Sequence, residues 1–456
     1  MKWVVRIAAL YLVAALFFVW GATAVAFKIF PYGLLQMRSV IAFVEGDPNE
    51  DLTVMEKLRN DLGGTPTRMM REYQPLDNDK FEDLGLKGFN TRRALPQIWM
   101  APEAPATYRL LIAAFDFEQS FWGAVLLDPQ GREVHRWYLN AELPELTVLP
   151  AFEPDPSKNL YGTALLPDGS MVVNLQERAG GLIKFGYCSE VDWVKQGDFH
   201  HVAHLTEDQT AFWTYGGGMG DLHPILILID VDTGETLREI NMADVERANE
   251  TLAIFDTRRR DTGNDATHPN DIDALPSNLA AAFPQFEVGD LVLSYRTTNL
   301  IFVMDPDTLK IKWWYFGAGD AQHDPDWHAD GTISIFNNRF RADWHGLPQY
   351  STIEKIDVAT NTHRTIVDGA DLNFHSTING QHHFTENGTV IVASSTQGRF
   401  FEVDLASGNI VFDFVNSFDR EDGRALHVSE AFVIDSTTVE RWRQTDCSDI
   451  QSQGNK

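Results

Sequence analysis

The sequence predicts an all-β fold, a six-bladed β-propeller, preceded by an N-terminal transmembrane helix and a short helical stalk. Three observations carry this prediction: an apolar N-terminal stretch, short β-like runs from about Tyr108 onward, and two hairpin phrases that alternate along those runs. With 456 residues, 44% of them apolar, the chain can bury a core of that size. We expect a membrane anchor over residues 1–30, a helical stalk and linker over 31–107, the propeller over 108–440 and a C-terminal tail over 441–456.

The N-terminal element is the uncharged, 21-residue stretch IAALYLVAALFFVWGATAVAF at positions 7–27. About 20 apolar residues span a bilayer as a helix. Lys2 and Arg6 precede the stretch and favour a cytoplasmic N-terminus. The AVA triplet at Ala24–Ala26 leaves signal-peptidase cleavage open, but the length favours an uncleaved anchor. In both cases we expect the propeller on the periplasmic or extracytoplasmic side, held at the inner membrane by one span if the helix is kept.

The next element is the stalk. In DLTVMEKLRNDL the apolar residues lie three and four apart, which predicts a helix that ends at Gly63-Gly64. Residues 65–107 are rich in proline and charge and have no sustained period. They predict a linker that packs on the propeller.

The first propeller phrase is an apolar strand, an aspartate, a short turn and a second strand. It occurs five times, and GGLIKFGYCSEVDWV stands without its aspartate where a sixth copy is due. The last two intervals between the aspartates are 52 and 47 residues, and the first interval of 102 residues fits two units. The aspartates are Asp128, Asp230, Asp305, Asp357 and Asp404.

The second phrase is a strand, a turn of Pro-Asp-Gly character and a strand, as in TALLPDGSMVV and HHFTENGTVIVAS. The two phrases alternate, so each unit holds two hairpins, or four strands. Four-stranded units at this period predict blades around a central axis, because one hairpin pair cannot bury both of its faces alone. Five or seven blades, or a β-sandwich, remain open alternatives.

Four histidines occupy the same register in different units. His323 lies eight residues before the turn glycine Gly331, and three others precede the equivalent turn positions by eight. The intervals of 67, 55 and 104 residues are near one, one and two units. Because inner strands start beside the axis of a propeller, we expect these side chains to converge there. The four are His201, His268, His323 and His427.

Two arginines end the strands that return from these turns. Arg296 ends GDLVLSYR and Arg339 ends ISIFNNR, so each can reach the histidine that it follows. The other histidines of these segments are expected elsewhere. His200 and His204 flank His201 and are aimed differently by strand alternation, and His328, His382 and His383 are predicted to be solvated near turns.

Charge and cysteine content limit the partners. The net charge of −28 argues against nucleic acid, which binds basic surfaces. Cys188 and Cys447 are too few for a zinc site or a disulfide framework. One long-range bridge between them is compatible with an oxidising compartment.

Around these residues the chain resembles the bacterial arylsulfotransferases, periplasmic six-bladed propellers that move a sulfuryl group between phenols without a nucleotide donor. The resemblance covers Tyr108 to Ser436 and rests on THPNDIDALPS before GDLVLSYR, on AQHDPDW before GTISIFNN, and on GRFFEVDLASGNIVFDFVN. It implies that His323 is the nucleophile, that His268 and Arg296 hold the sulfate, and that His201 is a further histidine of the site. The chain departs from the family in the insertion SNLAAAFPQFEV, in its widely spaced cysteines and in its anchor, which leaves activity open.

The resemblance implies transfer from an aryl sulfate to a phenol through a covalent sulfohistidine, with no cofactor and no metal. The residue types suit this chemistry. A neutral imidazole can attack sulfur, a guanidinium and a second imidazole can offset charge, and a third imidazole can move a proton. Arg339 and His427 are further substrate-binding candidates.

Two other functions stay open. One is a membrane-tethered binding scaffold whose channel histidines hold an anion or a metal without catalysis. The other is a quinone-cofactor dehydrogenase, although the 12 tryptophans lack the regular interval that such propellers show.

Overall fold

A computed structural model describes residues 82–83, 97–116, 120–139, 160–175, 181–217, 223–257, 267–342, 347–419 and 424–447. The chain divides into two compact units, 1–57 and 58–456, and every described residue lies in the second. Within the described residues, no helix is both long enough and apolar enough to span a bilayer. The predicted anchor and the predicted stalk helix lie outside the described residues.

The described residues form 28 strands and three short α-helices, with 3₁₀ turns at Ala253–Thr257, Ala280–Ala282 and Ser395–Gln397. The helices are α1 (Met242–Ala248), α2 (Gly369–Leu372) and α3 (Ser436–Trp442). The strands are β1 (Glu82–Asp83), β2 (Gln97–Met100), β3 (Tyr108–Asp116), β4 (Ser120–Leu127), β5 (Glu133–Leu139), β6 (Leu160–Leu165), β7 (Met171–Leu175), β8 (Gly181–Phe185), β9 (Val191–Gln196), β10 (Phe199–Leu205), β11 (Ala211–Gly216), β12 (Ile225–Asp230), β13 (Thr236–Asn241), β14 (Pro269–Ala274), β15 (Leu291–Tyr295), β16 (Leu300–Met304), β17 (Ile311–Phe316), β18 (His323–Trp327), β19 (Thr332–Asn337), β20 (Thr352–Asp357), β21 (Thr362–Asp368), β22 (Gln381–Phe384), β23 (Thr389–Ser394), β24 (Arg399–Asp404), β25 (Ile410–Val415), β26 (Ser417–Asp419), β27 (Arg424–Ala425) and β28 (Val428–Ile434).

Six antiparallel sheets of this set make a six-bladed β-propeller, which confirms the predicted fold class and blade number. We number the blades by chain order and give their strands from the axis outward. Blade 1 is β28-β3-β4-β5, blade 2 is β6-β7-β8-β9, blade 3 is β10-β11-β12-β13, blade 4 is β14-β15-β16-β17, blade 5 is β18-β19-β20-β21 and blade 6 is β22-β23-β24-β25.

The ring closes where the C-terminal strand β28 pairs with β3, so that blade 1 contains strands from both ends of the propeller. Apolar clusters fill the junctions between blades, for example the cluster of Leu111 and Val428 from blade 1 with Ile391 and Phe412 from blade 6. A ring in which every sheet is covered on both faces protects the strand edges that an open sheet would expose.

Burial within a blade falls from the axis outward, and this gradient explains the sequence pattern. The second strand of blade 4, LVLSY, is buried at every position, whereas the outer strand of blade 5, THRTIVD, is exposed at most positions. The aspartate of the first phrase follows or ends the third strand. Asp305 accepts a hydrogen bond from the turn amide of Asp307 at 2.8 Å. The carboxylate thus holds the outer hairpin turn, as expected for an Asx turn.

Blade 6 carries two additional strands at its outer edge. Strand β2 pairs with β25, and β1 pairs with β2. Both come from the segment 31–107, which we predicted to be stalk and linker, so part of that segment packs on the propeller as strands. The bounds of the four predicted domains stay a prediction.

Cys188 and Cys447 form a disulfide with a Cα–Cα distance of 5.4 Å and a sequence separation of 259 residues. Cys188 lies in the turn between β8 and β9, and Cys447 follows α3. The bridge therefore fastens the residues after the closing strand to blade 2.

Candidate active site

The inner strands of blades 3, 4 and 5 bring three of the four predicted histidines into one group, which we call the histidine cluster: His201, His268 and His323. His201 Nε2 lies 3.3 Å from His268 Nε2, and the rings of His201 and His323 are 6.2 Å apart between centroids. The three residues are only 3% to 8% exposed. Residues far apart in the chain thus form one buried group at the start of their strands.

Backbone irregularities aim these side chains toward the axis. The pairing register shifts between His200 and His204 in β10, so that His201 sits in a β-bulge. His201 has φ 64° and His268 has φ 48°, in the left-handed region. Such a conformation costs a non-glycine residue about 1–3 kcal/mol and is concentrated at functional sites. In blade 2, a Cβ on Gly162 would lie 2.2 Å from the carbonyl oxygen of His201, so glycine allows this close approach.

Arg296 places a cation beside the cluster. It follows β15, and its backbone amide donates to the carbonyl oxygen of His268 at 3.0 Å. Its Nη1 lies 3.2 Å from His268 Nε2, and its guanidinium packs over Phe340. The side chain is half-buried, whereas the three histidines are buried.

Asn338 fixes the tautomer of His323. The amide nitrogen of Asn338 donates to the carbonyl oxygens of Ser376 and Asn379 at 2.8 and 2.6 Å, so its oxygen is the atom that faces His323. That oxygen lies 2.7 Å from His323 Nδ1 and can only accept. His323 therefore carries its proton on Nδ1, and the lone pair is on Nε2. Among the described residues, Nε2 has no hydrogen-bond partner.

Burial keeps His201 and His323 uncharged. Burial and then the charge of Arg296 lower the pKa of His323 well below its ordinary value of 6.5. Burial and then the charge of His268 lower the pKa of His201 in the same direction. Near neutral pH both imidazoles are therefore neutral, the form in which imidazole is a nucleophile.

The fourth predicted histidine, His427, lies next to the cluster rather than in it. Its ring is 6.0 Å from the ring of Tyr161, which in turn is 6.1 Å from the ring of His201. Asn379 Nδ2 joins the pair, 3.1 Å from the Tyr161 hydroxyl and 3.4 Å from His427 Nε2. Burial lowers the pKa of His427 to about 4.

The structure does not bring Arg339 to the cluster. Its guanidinium lies over the ring of Tyr350, 3.7 Å from the centroid, and makes no hydrogen bond to the three histidines in the described part of the chain. His200 and His204 point in different directions, as expected. His200 stacks on Tyr215 with its Nδ1 3.1 Å from His201 Nδ1, and His204 pairs with Asp273 at 2.7 Å.

The prediction that His328, His382 and His383 are solvated is wrong. His382 is fully buried, with Nδ1 2.6 Å from Asp324, and His383 is mostly buried and pairs with Glu430 at 3.1 Å. His382 and His383 belong to an inner strand that follows a turn, so nearness to a turn in sequence did not mean exposure.

Sequence reasoning missed Asn338 and Tyr161. Tyr161 lies eight residues before the turn glycine Gly169, which is the register of the four histidines, so the repeat itself marks its position. Asn338 stood in the run ISIFNNR without a role. Its contact with His323 depends on the hydrogen bonds from its amide nitrogen to Ser376 and Asn379, just before blade 6, for which the sequence carries no pattern.

Within the described residues, two groups of three side chains have ligand atoms close enough to share a metal ion, and the histidine cluster is not one of them. One group is Glu287, Asp290 and Asp305, where Lys312 already bonds Asp290 at 2.8 Å. The other, Asp324 with Asp326 and His382, lies further along the inner strands.

Solved structures resemble the chain in fold alone. One is a protein of unknown function from Bacteroides caccae, at 10% identity and a TM-score of 0.46, with 72% of this chain and 99% of that chain covered. Another is a nidogen/laminin complex, at 9% identity and a TM-score of 0.42, with 72% and 98% covered. These likenesses carry no argument about function, and no curated protein matches the chain.

The sequence profile of the arylsulfotransferase family (ASST) matches residues 163–417, more than half of the chain. The match contains all three residues of the histidine cluster, Arg296 and Asn338. It indicates a transferase that acts on small aryl substrates. The chain belongs to the arylsulfotransferase family.

Proposed function

We propose that the protein transfers a sulfuryl group from an aryl sulfate ester to a phenol through a covalent sulfohistidine at His323. One observation carries the proposal. The Nε2 lone pair of His323 is fixed by Asn338, is buried, and lies beside His201, His268 and Arg296. A nucleophile of defined tautomer next to a cation is the arrangement that an anionic ester needs.

In the first step, Nε2 attacks sulfur, the N–S bond forms and the aryl O–S bond breaks. The electron pair of that bond leaves with the phenolate oxygen. Arg296 and His268 offset the charge on the sulfuryl oxygens, a contribution of position and electrostatics as in phosphoryl transfer. In the second step, the oxygen of an acceptor phenol attacks sulfur, the N–S bond breaks and His323 is regenerated.

His201 handles the proton in this scheme. In the free protein its pKa lies well below 6.5, so it starts neutral. The negative charge of a bound ester raises the pKa of a neighbouring imidazole, because it favours the charged form. His201 can then protonate the departing phenolate and later take the proton of the acceptor, a role worth about 10²–10⁴-fold in rate.

We place the propeller outside the cytoplasm, tethered by the apolar stretch at residues 7–27. The disulfide between Cys188 and Cys447 supports this location, because such bonds persist in oxidising compartments. The basic residues before the apolar stretch support an N-terminus in the cytoplasm.

The test is mass spectrometry of the protein after exposure to nitrophenyl sulfate without acceptor. We expect the mass of one sulfuryl group on the peptide that contains His323, and its loss when phenol is added. The His323→Ala variant should fold, carry no such mass and release no nitrophenol. The matched control is His363→Ala, because His363 is exposed on an outer strand and its ring hydrogen-bonds only to Tyr315 among the described residues. A normal turnover rate for His323→Ala would overturn the proposal.

A further inference from the structure

A second ring of polar residues lines the propeller axis beyond the histidine cluster. It comes from the later positions of the inner strands, and we call it the carboxylate ring. Pairs join neighbouring blades around it, with His204 bound to Asp273 at 2.7 Å and His383 bound to Glu430 at 3.1 Å. Its residues are His204, Asp271, Asp273, Asp324, Asp326, His382, His383 and Glu430.

The ring holds more carboxyl groups than imidazoles. The five carboxyl groups are Asp271, Asp273, Asp324, Asp326 and Glu430, and the three imidazoles are His204, His382 and His383.

The most crowded part of the ring lies between blades 5 and 6. Asp324 and Asp326 come from β18 and His382 from β22, and one ligand atom of each lies within 4.8 Å of the others. The backbone amide of His382 also donates to Asp324 Oδ2. With its amide nitrogen turned toward Asp324, Gln381 donates to Oδ2 at 3.1 Å.

The His382 side chain supplies the observation that points to a ligand. Its Nε2 lies 2.7 Å from Ser334 Oγ, which lies 2.7 Å from His328 Nε2. One hydroxyl proton serves one imidazole, so one of the two imidazoles donates to Ser334 and the other accepts from it. When His382 is the donor, its Nδ1 carries a lone pair that can bind a metal ion.

In the part of the chain that the structure describes, His382 Nδ1 is the unsatisfied atom of this group. His382 Nδ1 is fully buried and 2.6 Å from Asp324 Oδ2, yet among the described residues it has no hydrogen-bond partner, because the contact has the distance of an ion pair without the direction of a hydrogen bond. A lone pair that faces an ionised carboxylate is repelled unless a proton or a metal ion lies between them. The outer nitrogen of metal-bound imidazole is typically held by a hydrogen bond, as Ser334 holds it here.

We propose that Asp324, Asp326 and His382 bind a divalent first-row metal ion, such as Mn²⁺ or Zn²⁺, between blades 5 and 6. Two carboxylate oxygens and one imidazole nitrogen suit these ions better than Mg²⁺ or Ca²⁺, which prefer oxygen ligands alone. The ion joins two blades beneath His323. Asp326 also lines a cavity of about 450 Å³ at the far end of the inner strands, which gives the ion a route of entry.

The other candidate group contrasts with this one. Lys312 Nζ lies 2.8 Å from Asp290 and 3.1 Å from Glu287, so a cation already occupies the position that an ion would take. No lysine or arginine bonds Asp324 or Asp326 in the described part of the chain.

The test uses the purified full-length chain, stripped with EDTA, dialysed and titrated with Mn²⁺ by calorimetry and electron paramagnetic resonance. We expect one ion per chain. Asp326→Asn should weaken the affinity by about 10-fold or more, because it removes a ligand charge. His268→Ala should bind as tightly as the wild type. Loss of binding in His268→Ala with full binding in Asp326→Asn would place the ion in the histidine cluster and overturn the proposal.

Thermal unfolding distinguishes a loss of metal binding from a failure to fold. Without metal, Asp326→Asn should melt at the same temperature as the stripped wild type or higher, because one of the repelling carboxylates is gone. With Mn²⁺, the wild type and His268→Ala should gain several degrees by mass action, and Asp326→Asn should not. A stripped wild type that neither binds nor is stabilised by Mn²⁺ or Zn²⁺ overturns the proposal. None of these readouts requires sulfuryl transfer, so they stand apart from the proposed transferase function.

Discussion

Replacement of Asn338 by leucine tests the tautomer argument for His323. Asn338 makes three buried hydrogen bonds, one with His323 and two with carbonyl oxygens at 2.8 and 2.6 Å. A neutral hydrogen bond of this kind is worth about 0.5–1.5 kcal/mol, and an unsatisfied buried group costs about 1–3 kcal/mol. In the transition state His323 gains positive charge, and a hydrogen bond to a charged group is worth about 1.5–3 kcal/mol. Loss of this bond alone therefore corresponds to roughly a 10–100-fold fall in kcat/KM.

The assay follows release of nitrophenol from nitrophenyl sulfate with phenol as acceptor, at a temperature where circular dichroism shows the variant folded. Asn338→Asp is the matched variant, because its carboxylate can still accept from His323 Nδ1. Its negative charge favours the imidazolium form, so the pKa of His323 rises and the acid limb of the pH–rate profile moves to higher pH. Asn338→Leu should lower the rate without that shift. An unchanged kcat/KM for the leucine variant would refute the reasoning.

Three further outcomes are expected. His201→Ala should slow transfer from phenyl sulfate far more than from nitrophenyl sulfate, because nitrophenolate leaves without a proton, and equal losses with the two donors would exclude His201 as the acid. Arg296→Gln should lower kcat/KM by about 10²–10³-fold, as for loss of a preorganised charge partner. It should also move the acid limb of the pH–rate profile to higher pH, since the cation helps to keep the pKa of His323 low. An acid limb that stays in place would mean that Arg296 does not affect the pKa of His323. Cys188→Ser with Cys447→Ser should lower the free energy of unfolding by up to about 5.6 kcal/mol, the chain-entropy value for a 259-residue loop, with kcat/KM retained below the melting temperature, and urea denaturation measures this loss.

The register of the repeats was readable from the sequence because a propeller places equal positions of each blade at equal places around the axis. Counting eight residues back from each inner turn was enough to group His201, His268 and His323, which lie up to 122 residues apart. The number of copies of the aspartate phrase predicted the number of blades, because each aspartate holds the outer turn of one blade through its carboxylate. Both signals are local hydrogen-bonding and packing requirements that every blade repeats.

What the sequence could not supply was the direction of side chains between blades. Arg339 and Arg296 both end a returning strand, yet only Arg296 contacts the cluster, whereas Arg339 packs on Tyr350. His382 follows a turn in sequence but lies under the neighbouring blade. Such outcomes depend on rotamers and on contacts made by one blade alone, so no repeat encodes them.

The six register positions also indicate where substrate lies relative to the axis. In ring order, blades 2, 3, 4, 5, 6 and 1 contribute Tyr161, His201, His268, His323, Gly380 and His427. Imidazoles of three successive blades form the cluster, and Arg296 returns from the middle one, blade 4. The sulfuryl group is therefore expected off the axis, toward blades 3 to 5. The side of blades 6, 1 and 2 then faces the aryl rings, and there Gly380 carries no side chain because a Cβ would lie 2.5 Å from the ring of Phe336. In the second step the acceptor oxygen displaces His323 from sulfur and therefore approaches from the side that the donor oxygen left. Donor and acceptor rings then share one side of the site, so Tyr161→Phe should alter KM for the phenol and KM for the aryl sulfate to a similar extent.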